Sequence, residues 1–238
     1  MQDVIKPEER RKAEQLPLVF DHTPANGRDD LLVSARLAAA VSMVDSWPNW
    51  PSPVVVLTGP QGSGKSHLAE IWRKASGAET VSLAPGADAA AIAVNGPVLF
   101  EDADRRGFDE TELFHLINSV RQHGTSLLIT ARTWPIAWNV SLPDLRSRLR
   151  AATLVEIGEP DEALLAQVIV KLFADRQLSV DERLVAYIVS RMERSFAAAQ
   201  TIVEWLDRMA LSRRVRISRA LATEALDAIQ RGDEASLR

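Results

Sequence analysis

The chain has 238 residues, of which 46% are hydrophobic and 25% charged, with a formal net charge of −4. That length and apolar content suffice for one sizeable core with an appendage, or for two small domains. No cysteine is present, which excludes disulfides, thiolate metal sites and thiol nucleophiles, and the four histidines (His22, His67, His115, His123) lack metal-ligand spacing. No run approaches the roughly 18 apolar residues of a membrane span, and the charged first residues contain nothing like a secretory core, so a cytoplasmic protein without membrane contact is expected. The acidic balance makes any DNA contact local, and weak or indirect.

Met1 to about Gly27 is polar, charged and punctuated by Pro7, Pro17 and Pro24, which reads as a tail (1–27). Its one apolar island is Gln15-Leu16-Pro17-Leu18-Val19-Phe20, either a segment packed on the protein's own core or an extended peptide offered to a partner. Residues 31–46 read as a helix, ended by Trp47-Pro48-Asn49-Trp50-Pro51-Ser52-Pro53. Val54-Val55-Val56-Leu57 then has the β-branched character of a buried parallel strand.

Immediately after it, Gly59-Pro60-Gln61-Gly62-Ser63-Gly64-Lys65-Ser66 completes a G-x-x-x-x-G-K-[ST] phosphate loop, and His67, Leu68, Ile71 and Trp72 continue into a helix. The glycines allow the backbone N–H groups to face phosphates at a helix N-terminus, Lys65 reaches the β and γ oxygens, and Ser66 holds Mg²⁺. ATP or ADP with Mg²⁺ is therefore the expected ligand.

Short strands are predicted at 79–83 and 97–102. The second ends in Glu101 and Asp102, a pair suited to a metal-side acid (Glu101) and a base-side acid (Asp102), with the register open by one residue. Asp109 caps the next helix, with Glu112 placed to complete a capping box and Gly124 to stop it. The following strand, 127–130, ends in Thr130, either a turn residue or a hydroxyl that orients water near the γ-phosphate.

Leu145-Arg146-Ser147-Arg148-Leu149-Arg150 precedes the last strand, 153–157. Arg148 there is either a solvated surface cation or a guanidinium that projects from the domain edge to a nucleotide on a neighbouring subunit. From Asp161 onward only helices are predicted, at about 161–177, 181–193 (capped by Ser179), 195–212 and 218–231. The expected architecture is α/β: a parallel-sheet αβα nucleotide-binding domain (28–159) followed by a small all-helical lid (160–238). Arg208, Arg213, Arg214, Arg216 and Arg219 form the one local basic cluster, either a solvated helix end or a DNA contact.

The phosphate loop, acidic strand, strand-terminal Thr130, the Pro143-Asp144-Leu145-Arg146-Ser147-Arg148-Leu149 stretch and Met192-Glu193-Arg194-Ser195-Phe196 together resemble the P-loop AAA+ ATPases of the bacterial replication initiator DnaA group, over about Asp29 to Ile229. The resemblance implies that Arg148 is an arginine finger and that Arg194 is a lid residue that senses nucleotide. It also makes Gln15, Leu16, Leu18 and Phe20 look like the Q-L-x-L-x-F sliding-clamp motif. DnaA continues into a helix-turn-helix DNA-binding domain, for which no residues follow Arg238. The combination points to a DnaA-related negative regulator, recruited by the clamp loaded on DNA, that docks on ATP-bound DnaA and supplies Arg148 to its hydrolytic site, leaving DnaA in the ADP form. Its own nucleotide, often ADP, would serve as a structural clamp, and homo-oligomers are possible. The alternative is a DnaA-like initiation or loading factor that binds DNA directly. Glu101 in place of the family's Asp, and Ala131-Arg132 in place of Ser-Asp, argue against fast hydrolysis by the chain itself.

Overall fold

The computed structural model describes residues 35–232. Their order is α1 (Ala35–Asp45), β1 (Val54–Thr58), α2 (Lys65–Ser76), β2 (Glu79–Thr80), α3 (Ala89–Asn95), β3 (Val98–Phe100), α4 (Ala103–Arg106), α5 (Glu110–His123), β4 (Leu127–Ala131), a 3-10 turn (Pro135–Ala137), α6 (Pro143–Arg150), β5 (Thr153–Glu156), then α7 (Glu162–Asp175), α8 (Glu182–Val189), α9 (Phe196–Arg213) and α10 (Arg219–Arg231). The five strands form one parallel sheet in the order β2-β3-β4-β1-β5.

Parallel strands covered on both faces need apolar side chains on both, which the runs VVVLT and LLITA supply; every residue of β1 and β4 is buried. Successive side chains alternate between two cores. Val54, Val56, Phe100, Leu127 and Ile129 pack with α5 and α6 through Leu113, Leu116, Ile117, Leu145 and Leu149. Val55, Leu57, Leu99, Leu128 and Val155 pack with α1 and α2 through Leu37, Val41, Leu68 and Trp72, and Leu164 of α7 joins this second core. The helices α7–α10 assemble a third core around Leu165, Ile169, Phe173, Ile188, Ile202, Leu206 and Leu226.

The order of the strands matters for function. Inserting β4 between β1 and β3 brings the ends of three strands together at the C-terminal edge of the sheet: the phosphate loop after β1, the turn after β4 and the acidic pair after β3.

Several predicted boundaries differ. The strand expected over 79–83 pairs only at Glu79–Thr80, although Val81 still donates its N–H to the Leu99 carbonyl at 2.9 Å. The acidic strand ends at Phe100, because Asp102 takes a left-handed conformation (φ +54°) and begins α4. Asp109 caps α5 as expected, accepting from Thr111 and Glu112 N–H, but the capping box does not close. The Asp109 N–H is taken by the Leu83 carbonyl at 2.8 Å, so Glu112 turns to the Gly86 N–H instead. Helix α8 is capped by Asp181 rather than Ser179 and stops at Val189 rather than 193.

Candidate nucleotide-binding site

The loop between β1 and α2 is built on three glycines with positive φ: Gly59 (+154°), Gly62 (+72°) and Gly64 (+95°). At two of these a side chain is excluded by contact as well as by conformation. A Cβ on Gly59 would stand 2.3 Å from the Ile157 carbonyl oxygen, and one on Gly62 would stand 2.4 Å from the Cβ of Ser195. The second distance shows that the start of α9 rests directly on the loop. The Phe196 N–H donates to the Gly62 carbonyl at 3.0 Å, and the Phe196 ring covers Gly64.

Lys65 opens α2 with its side chain buried. Its ammonium donates to the carbonyls of Gly59 and Pro60, both at 2.7 Å, and to Ser63 Oγ at 3.4 Å. All three acceptors are neutral. Burial pushes the lysine pKa below its ordinary value, with Asp102 opposing that shift and Arg132 adding to it. A buried cation with only neutral partners, at a helix start whose Gly64 cap has no side chain to offer, is suited to an anion, so the residues present fit a nucleotide's phosphates. Ser66 is exposed and His67 half-buried in the first turn of α2.

The strand order brings Thr130 to the acidic pair: its hydroxyl accepts the Asp102 N–H at 3.0 Å, across 28 residues of sequence. Thr130 is fully buried, and Glu101 and Asp102 are each half-buried. The two acids separate electrostatically. Asp102 acts on Lys65, whereas Glu101 acts on Arg73 of α2. Among the described residues no cluster of three or more His, Cys, Asp or Glu side chains could hold a metal, so Mg²⁺ at Ser66 and Glu101 would take phosphate oxygens and water as further ligands.

The turn after β4 contributes residues whose part in the site sequence reasoning missed. Asp104 accepts the Arg132 N–H with both oxygens (3.1 and 2.9 Å) and the Thr133 N–H and hydroxyl at 2.8 and 2.9 Å. Burial alone would raise the Asp104 pKa, but these hydrogen bonds outweigh it and hold the carboxyl below its ordinary value. With its backbone fixed, Arg132 extends a guanidinium nitrogen to Gln61 Oε1 at 2.5 Å, across the mouth of the loop. The available signal was Arg132 itself, a cation two residues past a strand-terminal Thr.

Arg194 stands one residue before Ser195, and its guanidinium donates to Glu162 Oε1 at 2.6 Å with both side chains exposed. It is thus brought beside the loop by the chain while its charge ties the start of α7 to the start of α9. Arg148 lies elsewhere. It is half-exposed in the last turn of α6, three residues before which Leu145 enters the core, and among the described residues its guanidinium makes no hydrogen bond or ion pair. The chain enters β5 at the N-terminal edge of the sheet, Thr153 pairing with Val55, whereas the phosphate loop leaves β1 at the opposite edge after Thr58. Four residues of strand separate the edges by about 13 Å.

In the basic cluster, Arg213 forms a two-pronged bond to Glu224 (2.6 and 2.7 Å) and Arg219 lies 4.4 Å from the centre of the Tyr187 ring, so two of the five cations are engaged within the chain. The predicted clamp motif, Gln15, Leu16, Leu18 and Phe20, lies outside the described residues. No described helix is long and apolar enough to cross a membrane.

No protein-family model and no curated protein matches the chain. Solved structures do. Domain III of the Thermotoga maritima replication initiation protein DnaA superimposes with a TM-score of 0.70 at 14% identity, covering 86% of this chain and 96% of that one. The Thermotoga maritima RuvB Holliday junction branch migration motor gives 0.68 at 17% identity, covering 85% and 72%. The replication initiator DnaA bound to AMPPCP and single-stranded DNA gives 0.64 at 16%, covering 81% and 68%. At such identities the superpositions show the fold alone, that of the AAA+ P-loop ATPases.

Proposed function

We propose that the chain is a nucleotide-binding AAA+ regulator of replication initiation that stimulates ATP hydrolysis by DnaA, the role of the DnaA-related regulator Hda. The observation that carries the reading is the position of Arg148. It stands at the edge of the sheet opposite its own phosphate loop, and among the described residues no carboxylate claims it. A guanidinium there is out of reach of its own nucleotide and available to one bound by another molecule, where such a group is worth on the order of 10³ to 10⁵ in rate. The likeness to DnaA domain III, nearly complete for that domain, supports a partner of the same architecture.

Within the chain, Gly59 to Ser66 with His67 would cradle the phosphates, Lys65 would neutralise them, and Arg194 would link lid to nucleotide. Ser66 and Glu101 would hold Mg²⁺, while Asp102 and Thr130 would orient water, with at most slow hydrolysis. Bound ATP or ADP would supply the negative charge that none of the three hydrogen-bond acceptors of Lys65 carries. Recruitment would fall to Gln15, Leu16, Leu18 and Phe20, whose spacing suits an extended peptide in an apolar pocket of the sliding clamp.

The test incubates ATP-loaded DnaA with clamp loaded on DNA and follows conversion to ADP. Wild-type protein should stimulate, Arg148→Ala should not, and Leu18→Ala/Phe20→Ala should lose clamp binding and with it the clamp-dependent stimulation. Equal stimulation by wild type and Arg148→Ala would remove the finger assignment, and direct, tight, steeply salt-dependent binding to DNA alone would favour a loading factor instead.

A further inference from the structure

We propose that Glu110, at the start of α5, is a positioning residue for Arg148: it pins the first residues of α6 and so fixes where the guanidinium near the far end of that helix is presented. The proposal rests on the reading of Arg148 as a group offered to a nucleotide on another molecule, and it concerns a side chain to which neither the sequence motifs nor the resemblance gives a part.

Helix α6 does not cap itself. Its N-cap, Leu142, has no polar side chain, Pro143 follows at the first helical position, and the third position is Leu145. A capping box would bring the carboxylate of an acidic third residue back to the N-cap N–H. Leu145 is instead buried in the core, and the carboxylate comes from α5. Glu110 provides it across 32 residues of sequence: one oxygen accepts the Ser141 N–H at 2.8 Å, and the other accepts the Leu142 N–H at 2.7 Å and the Ser141 hydroxyl at 2.9 Å. The bonds from the Ser141 and Leu142 N–H groups hold the Glu110 carboxyl below its ordinary value, so it stays ionised. Arg146 closes the same corner from within α6, donating to the Val140 carbonyl at 2.6 Å.

What holds α6 apart from this corner is apolar and undirected. The helix has only eight residues, and its buried side chains, Leu145 and Leu149, stand four apart on one face. Apolar burial scales with area and has no preferred direction, so these two contacts resist lifting of the helix more than a slide or a roll. Hydrogen bonds set both distance and angle, and the three to Glu110 fix the helix along its axis. Arg148 lies six residues after Leu142, about 9 Å along the helix, and is half-buried at the margin of the buried face. A slide of α6 therefore carries Arg148 with it, and a roll changes how far it projects. A misplacement of about 1 Å at a reacting group can cost on the order of 100-fold in rate, whereas a docking surface spread over many residues is little altered.

The test uses the full chain with ATP-loaded DnaA and clamp loaded on DNA, and measures the rate of ADP formation against the concentration of wild type, Glu110→Ala, Glu110→Gln and Arg148→Ala. Glu110→Ala should lower the maximal stimulated rate about 10-fold or more, with the concentration for half-maximal stimulation changed less than about threefold. Glu110→Gln, which keeps one accepting oxygen, should fall between, and it carries the test by itself if the alanine variant does not fold. A general structural defect would instead raise the half-maximal concentration. A Glu110→Ala maximal rate equal to wild type, or a loss that appears only in the half-maximal concentration, would overturn the proposal while leaving the role of Arg148 intact. Absence of stimulation by wild type, or equal stimulation by Arg148→Ala, would overturn the reading of Arg148, and this proposal with it.

Discussion

Substituting Gly62 by alanine tests how firmly the C-terminal helices are seated on the phosphate loop. The new Cβ would stand 2.4 Å from the Cβ of Ser195, whereas two carbons rest comfortably at about 3.5–4.0 Å. The start of α9 must therefore retreat by roughly 1 Å, a displacement that takes the 3.0 Å bond from the Phe196 N–H to the Gly62 carbonyl out of range. Losing that bond costs about 0.5–1.5 kcal/mol. Holding a non-glycine residue at φ +72° costs a further ~1–2 kcal/mol. Gly77 provides the control, because it has a similar φ (+69°) and nothing within 4 Å of its virtual Cβ. In urea denaturation without nucleotide, Gly62→Ala should lose about 1.5–3.5 kcal/mol and Gly77→Ala about 1–2 kcal/mol. Adding Ser195→Gly to Gly62→Ala should recover part of the excess, since it removes the atom in collision. Equal losses for the two alanine variants would show that the loop and α9 are not in contact in solution, and the account of the seat would be wrong.

Two further outcomes follow from single side chains. Trp72 is fully buried, stacked on Trp50 at 5.2 Å, and among the described residues its indole N–H has no partner, so Trp72→Phe should stay within about 1 kcal/mol of wild type, against a loss of about 3–5 kcal/mol for Trp72→Ala. Calorimetry of both variants checks this, and a Trp72→Phe loss well above about 1 kcal/mol would contradict an unpartnered N–H. Asp104 has a folded pKa below its ordinary 3.8, so its contribution is present in full above that value and is lost as pH falls through the depressed one. The stability gap between wild type and Asp104→Asn, of about 1–3 kcal/mol at pH 7, should close on acidification toward pH 2, and a gap independent of pH would contradict the hydrogen-bonding account.

The central sheet and the loop were legible in the sequence because their signals are local. Val54 to Leu57 and Leu127 to Thr130 are apolar on both faces, and the glycines and Lys65 stand at fixed spacing. Gly124 and Asp109 work as the local rules require. What escaped was set by pairing between distant segments. That β4 lies between β3 and β1 puts Thr130 on the Asp102 N–H and Arg132 over Gln61, contacts that no local pattern announces. Glu112 misled for the same reason: a capping box needs a free N–H on Asp109, and a residue 26 positions away had claimed it. The left-handed Asp102 could not be read from an acidic pair, since the turn that imposes it is shaped by its neighbours on β4.

A parallel sheet gives a molecule direction, and on the proposed reading the receiving end and the giving end are different places: phosphates would enter at one pole and Arg148 would act from the other. Two such molecules cannot exchange favours face to face; each contact satisfies one partner and leaves an unanswered pole on both. Rows built this way have no natural length unless something of a different kind stops them.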